Sequence, residues 1–224
     1  MPLPKKALVL TGLITLGALA AVSYAVSTMR PMQDYRWLVL FTLALVTARL
    51  KVKLPGLTGN MSVNLPFLLI AVSQLSLLEA LLVALPACVV QCWPKGGGKP
   101  KLVQMLFNLS MMAVAVTLAS LISMTFATPL GAAVFFLAQT IPVAGIIRIT
   151  EGGAIYRIWS RIAHCSFPFY VLSAGLTSIA TSTTPQLGWQ LPLVGLPVLF
   201  AIYRSYVSYF GMASLAQRSV VEAR

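Results

Sequence analysis

The side chains able to do chemistry in this sequence are few. One histidine, His164, stands beside Cys165; Cys88 and Cys92 lie four residues apart; the carboxylates are Asp34, Glu79, Glu151 and Glu222. Four-residue spacing puts Cys88 and Cys92 on one helical face, where they could offer two thiolates to a metal. No third or fourth ligand accompanies them in the sequence, so they read as buried thiols packed as small apolar groups, with no metal and no cofactor. His164 reads as an interfacial histidine bonded to backbone, in preference to a pH sensor or haem ligand. "GGGK" at 96–99 has Pro100 where a phosphate loop needs Ser or Thr, and its glycines are wrongly spaced. It reads as a flexible loop. No constellation for catalysis emerges, and the chain is expected not to be an enzyme.

The elements holding these residues are dictated by composition. Apolar residues make up 58% of the 224 and charged ones only 9%. That excludes an ordinary soluble domain and describes an integral membrane protein. Sixteen Lys and Arg against four acids could suggest nucleic acid. These cations sit in small groups at the ends of apolar runs, a distribution that sets membrane topology and leaves no basic groove for phosphates. The lipid bilayer is the expected partner, and nucleic acid is not. An odd cysteine count within apolar runs argues against a secreted disulfide framework.

The apolar runs predict an all-α, polytopic bundle of about eight transmembrane helices. Ala7 to Met29 is long enough for a retained first span and too long for a cleavable signal h-region. The second is short, from about Tyr35 to Ala48. In "ARLKVKLPGLTGN" (Ala48–Asn60), Arg49, Lys51 and Lys53 fall on alternate residues before a Pro-Gly break, which reads as a cytoplasmic turn. A single helix across 54–94 would carry Glu79 into lipid at a cost of several kcal/mol. Two shorter helices, about Ser62–Leu75 and Leu78–Trp93, instead put "QLSLLE" in a tight turn and Glu79 near the positive end of the second. Leu102 to Ile147 is two spans broken at "ATPLG" (Ala127–Gly131). "EGGAIYRIW" (Glu151–Trp159) is expected as an amphipathic surface connector. Ile162 to Tyr203 forms the last pair, broken at Thr181–Gln190, and the eighth helix continues without a break to about Gln217.

The cations test this count independently. Eight spans gather Lys5, Lys6, Arg49, Lys51, Lys53, Lys95, Lys99, Lys101, Arg148, Arg157, Arg161, Arg204, Arg218 and Arg224 on one face, and leave only Arg30 and Arg36 on the other. By the positive-inside rule both termini are then cytoplasmic, with residues 1–211 the transmembrane domain and 212–224 a short cytoplasmic tail. Arg49, Lys51, Lys53, Lys95, Lys99 and Lys101 are the cations that set this topology.

Polar residues within spans must find partners away from lipid. Gln104, Asn108, Gln139 and His164 are assigned intramembrane polar contacts. Gln74 and Glu79, near the outer surface, are expected to join Asp34 and Arg36 in lining a shallow ligand pocket.

A succession of segments completes the reading: "RLKVKLPGLTGNMSVNLPFLL" (Arg49–Leu69), "LLEALLVALPACVVQ" (Leu77–Gln91), "LFNLS" (Leu106–Ser110), "ITEGGAIYRIWSRIAHCSFPFYVLSAGL" (Ile149–Leu176) and "LFAIYRSYVSYFG" (Leu199–Gly211). Their order and spacing over residues 49–211 resemble the multi-helix membrane region found ahead of HD-GYP and GGDEF domains in bacterial cyclic di-GMP signalling proteins. The resemblance implies a sensory or anchoring module of the bacterial inner membrane. It implies a partner too, a cytoplasmic signalling domain or protein reached through the C-terminal helix; a second copy of the chain in a homodimer is a further expected partner. No catalytic residues carry over, because the sequence has neither the several His and Asp ligands of a metal-bound hydrolase nor the metal-holding carboxylates of a cyclase. The alternative is a small-molecule transporter or membrane substrate-binding subunit, suggested by prolines that permit broken helices around a site.

Overall fold

The computed structural model describes residues 4–29, 35–53, 60–94 and 101–187, together with Ala201, Arg204, Ser205 and Ser208. Along the chain these form α1 (Lys5–Ser27), α2 (Arg36–Ala48), β1 (Lys51–Lys53), β2 (Asn60–Ser62), α3 (Leu65–Gln74), α4 (Leu77–Cys92), α5 (Leu102–Thr125), α6 (Thr128–Glu151) and α7 (Ile155–Leu187). The protein is a helical bundle, and α1, α5, α6 and α7 are each long and apolar enough to cross a membrane. At 1.5 Å per residue, α2, α3 and α4 reach only about 20, 15 and 24 Å, against a hydrocarbon core of about 30 Å. Among the described residues, therefore, four helices are individually of spanning length, where about eight spans are expected from the sequence.

The packing of α1 reverses the soluble pattern. Its buried residues are Ala7, Thr11, Ala18, Ala21 and Ala25, while Leu8, Val9, Leu13, Leu16 and Leu19 are exposed. Small side chains let helix backbones approach closely, and large apolar ones on the outside suit a lipid solvent. The same logic runs through α5, whose Ala113, Ala115, Ala119 and Ser120 are fully enclosed. Opposite them, Gly131 on α6 sits so near α5 that an added Cβ would lie 2.9 Å from the Ala119 carbonyl.

At the centre is α3. Leu65 through Val72 are all buried, so this helix has no outward face, and it touches α2, α4, α5, α6 and α7. Two extended residues, Leu75 and Ser76, separate it from α4. The expected paired short helices with a tight turn at "QLSLLE" are present.

Side-chain contacts fix the relative directions. Thr15 meets Ser110 at 3.1 Å and Gly17 faces Val114, so α1 and α5 run parallel. Gln139 reaches Met112, and Gly131 lies over Ser123, so α5 and α6 are antiparallel. Cys92, the last residue of α4, meets Asn108 near the start of α5, and the two helices also pack on each other extensively, which only an antiparallel pair allows; the Lys51 ammonium donates to the Trp93 carbonyl at the end of α4. Lys5, Lys6, Lys51, Lys101 and Arg148 consequently gather at one end of the bundle. A single span across 54–94 would separate Lys51 from Trp93; their contact requires an up-and-down hairpin.

Three sequence expectations are corrected. The segment 48–60 is not simply a turn, because Lys51, Val52 and Lys53 pair antiparallel with Ser62, Met61 and Asn60. The alternation of Arg49, Lys51 and Lys53 is the two-residue period of a strand. The connector at 151–159 is not a separate surface element: from Ile155 it is the first part of α7, with the chain reversal made by Gly152 and Gly153 at φ of +82° and +94°. Arg157, Arg161 and His164 are spaced i, i+4, i+7, and all three are exposed, so they form one polar stripe on a continuing helix. Nor does this helix break at Thr181, since α7 runs on to Leu187. The eighth helix, the C-terminal rod and the tail 212–224 lie outside the described residues, except that Ala201, Arg204, Ser205 and Ser208 are helical.

Candidate functional site

The most chemically distinctive cluster lies between the C-terminal half of α4 and the N-terminal half of α5. Why α4 starts where it does is local. Ser76 is its N-cap; Glu79 N–H donates to Ser76 Oγ (3.4 Å), while Ser76 N–H (3.0 Å) and Ser76 O–H (2.7 Å) both donate to Glu79 Oε2. This reciprocal capping box satisfies amides that would otherwise be orphaned. Three to four turns later the helix delivers Cys88, buried, and Cys92, half-buried, to the same face at i, i+4 spacing.

Polar groups surround this pair. Asn108 Nδ2 of α5 donates to Cys92 Sγ at 3.3 Å, and Lys51 of β1, bonded to the next carbonyl at Trp93, lies close enough for its charge to act on Cys92. One turn further along α5, Met112 Sδ accepts a bond of 3.3 Å from Gln139 Nε2 of α6. Asn108 and Gln139 thus each donate to sulfur on a neighbouring helix. The arrangement is soft in the chemical sense: two thiols on α4 and a thioether on α5, with an amide N–H donated to Cys92 and another to Met112, and one ammonium held at the neighbouring Trp93 carbonyl.

The remaining residues singled out from the sequence are dispersed. Gln104 is exposed near the start of α5, and His164 is exposed on α7 with Nδ1 2.9 Å from the Ser160 carbonyl of its own helix. Arg36, Gln74 and Glu79 share the end of the bundle opposite the cation cluster, but one oxygen of Glu79 is committed to Ser76. Asp34 lies outside the described residues, as do Lys95 and Lys99. Arg49 is exposed at the end of α2, Lys101 is exposed at the N-cap of α5, and Lys53 pairs with Asn60 in the hairpin. Lys51 alone of the topology-setting cations adjoins the sulfur cluster by a described contact.

Sequence reasoning overlooked Ser76, Met112 and the approach of Lys51 to Cys92. Ser76 carried a readable signal, the S-x-x-E pattern of a capping box. Met112 carried one only in retrospect, as the residue one helical turn from Asn108. Lys51 carried none, being 41 residues from Cys92 in the chain.

The chain matches no family model, no curated protein and no solved structure.

Proposed function

We propose that this chain is a membrane-embedded sensory or anchoring module of a bacterial signalling system, not itself catalytic, with its cation-bearing end in the cytoplasm. The observation that carries the reading is α7. Thirty-three residues make a rod of about 50 Å, well over the roughly 30 Å of the hydrocarbon core, so part of it stands beyond the lipid. Its Phe169, Ser173 and Thr177 are buried within the bundle, and α7 packs against the enclosed helix α3. A change in how α3 seats would therefore be passed to an element that leaves the membrane, provided two seatings are close in free energy. The charge asymmetry supports the orientation, and the segments spanning residues 49–211 support the link to cyclic di-GMP signalling.

A fusion of the chain ahead of a soluble diguanylate cyclase domain tests this. Phe67, fully buried on α3, is changed to Ala. The reading expects cyclase output to shift while the fusion inserts at the wild-type level; an output indistinguishable from wild type rejects it.

One observation favours a second reading, a transporter or membrane substrate-binding subunit. A half-span helix enclosed at the centre of a bundle, followed by a helix with Pro86 in its interior, is akin to the broken-helix plan used to build substrate sites. Solute accumulation by vesicles containing only this chain would select it over the signalling role.

A further inference from the structure

The sulfur cluster between α4 and α5 goes beyond the signalling reading and does not depend on it. Cys92 pairs with Asn108 across antiparallel helices, so the residues one turn deeper on each helix, Cys88 and Met112, lie at the same depth. Both are buried. Met112 shares a face of α5 with Asn108, four residues on. We propose that Cys88, Cys92 and Met112 form a binding site for one thiophilic monovalent d10 cation, Cu(I) or Ag(I).

The donor set selects this class. Thiolates and thioethers are soft ligands, preferred by Cu(I), whereas hard cations such as Mg²⁺ and Ca²⁺ demand oxygen. A structural zinc site needs four ligands, and among the described residues no group of three or more His, Cys, Asp and Glu comes together. A d10 monovalent ion accepts two or three sulfurs, which is what the two helices present. Two thiols taking up one such cation release two protons and leave a complex of charge −1. In apolar surroundings that charge needs a counter-ion. Lys51 provides it, tethered beside Cys92 through the Trp93 carbonyl. Asn108 and Gln139 each donate an N–H to a ligand sulfur, orienting it while leaving further lone pairs for the metal. Half-buried Cys92, at the end of its helix, supplies the entry route from the cation-bearing end.

The experiment uses the full chain, reduced and purified in detergent without air. It is titrated with Ag(I), and separately with Cu(I) against a chromophoric Cu(I) chelator. The proposal expects one equivalent bound per chain, with sulfur as the sole neighbour in X-ray absorption at the metal edge. The Cys88→Ser/Cys92→Ser double variant should lose saturable binding, and Cys165→Ser should keep wild-type affinity. Asn108→Ala should weaken binding about 10–100-fold, the usual effect of removing a group that bonds a ligand. Nitrogen or oxygen in the wild-type coordination sphere overturns the proposal without recourse to any variant. So does undiminished binding by a folded double-serine variant, or loss of binding in Cys165→Ser.

Discussion

Replacing Gly131 with alanine would put a methyl carbon 1.8 Å from Ser123 Oγ, 3.1 Å from Ser123 Cβ and 2.9 Å from the Ala119 carbonyl oxygen. Ser123 Oγ is the end of a side chain and rotates away, but the carbonyl belongs to the α5 backbone, so the two helices must separate by a few tenths of an ångström. Over-packing of this kind costs about 1–3 kcal/mol. Against it stands the better helix propensity of alanine, at most about 1 kcal/mol this near the helix start. The net expectation is a loss of about 1–2 kcal/mol. Gly175→Ala is the matched control: this glycine is exposed on α7 with nothing within 4 Å, so only the propensity gain remains, up to about 1 kcal/mol of stabilisation. Reversible unfolding of the purified protein in mixed micelles reads both. Ser123→Ala sharpens the test, because it removes the nearest clashing atom; Gly131→Ala in that background should cost at least about 0.5 kcal/mol less than alone, a coupling expected only for touching residues. A Gly131→Ala protein as stable as wild type, or strict additivity with Ser123→Ala, would refute the close approach of α5 and α6.

The capping box at α4 separates a structural from a ligand-binding role for Glu79: Ser76→Ala should cost about 0.5–2 kcal/mol in unfolding, whereas Glu79→Gln, which retains an acceptor at the same position, should cost much less. Gly152 has φ +82° and ψ −170°, a conformation essentially confined to glycine, so Gly152→Ala should destabilise the α6–α7 turn by about 1–3 kcal/mol in the same assay. Single cysteines placed at Lys5 and Lys101 in a background with Cys88, Cys92 and Cys165 replaced by serine should label with a membrane-impermeant maleimide from the same side of sealed vesicles; labelling from opposite sides would contradict the parallel packing of α1 and α5.

Much of the architecture was legible residue by residue. Lipid exposure demands long apolar runs, so α1, α5 and α6 follow directly from hydropathy, and the break at 126–127 from "ATPLG". The α3–α4 hairpin was legible through Glu79, since a carboxylate within a single long span would be too costly. The polar stripe on α7 misled: Arg157 and Arg161 read as cations of a separate surface connector and His164 as an interfacial residue when taken in order along the chain, and the three read as one face only when wound at 3.6 residues per turn. The hairpin strands were signalled by alternating cations, but three residues per strand carry too little periodicity to stand against a Pro-Gly turn.

Hydrophobicity and charge are properties of each residue against its solvent, and that is why the sequence by itself determined a helical membrane protein with its cations concentrated between apolar runs. Which helix lies at the centre was decided only in three dimensions. Nothing in "LPFLLIAV" distinguishes a segment enclosed by protein from one bathed in lipid, because both environments are apolar, and only the packing of α2, α4, α5, α6 and α7 around it makes the difference. The sulfur-rich region has the same origin: Cys88 and Cys92 share a helix face by local geometry, whereas the bond of Asn108 to Cys92, that of Gln139 to Met112 and that of Lys51 to the Trp93 carbonyl depend on how separate helices and a strand come together.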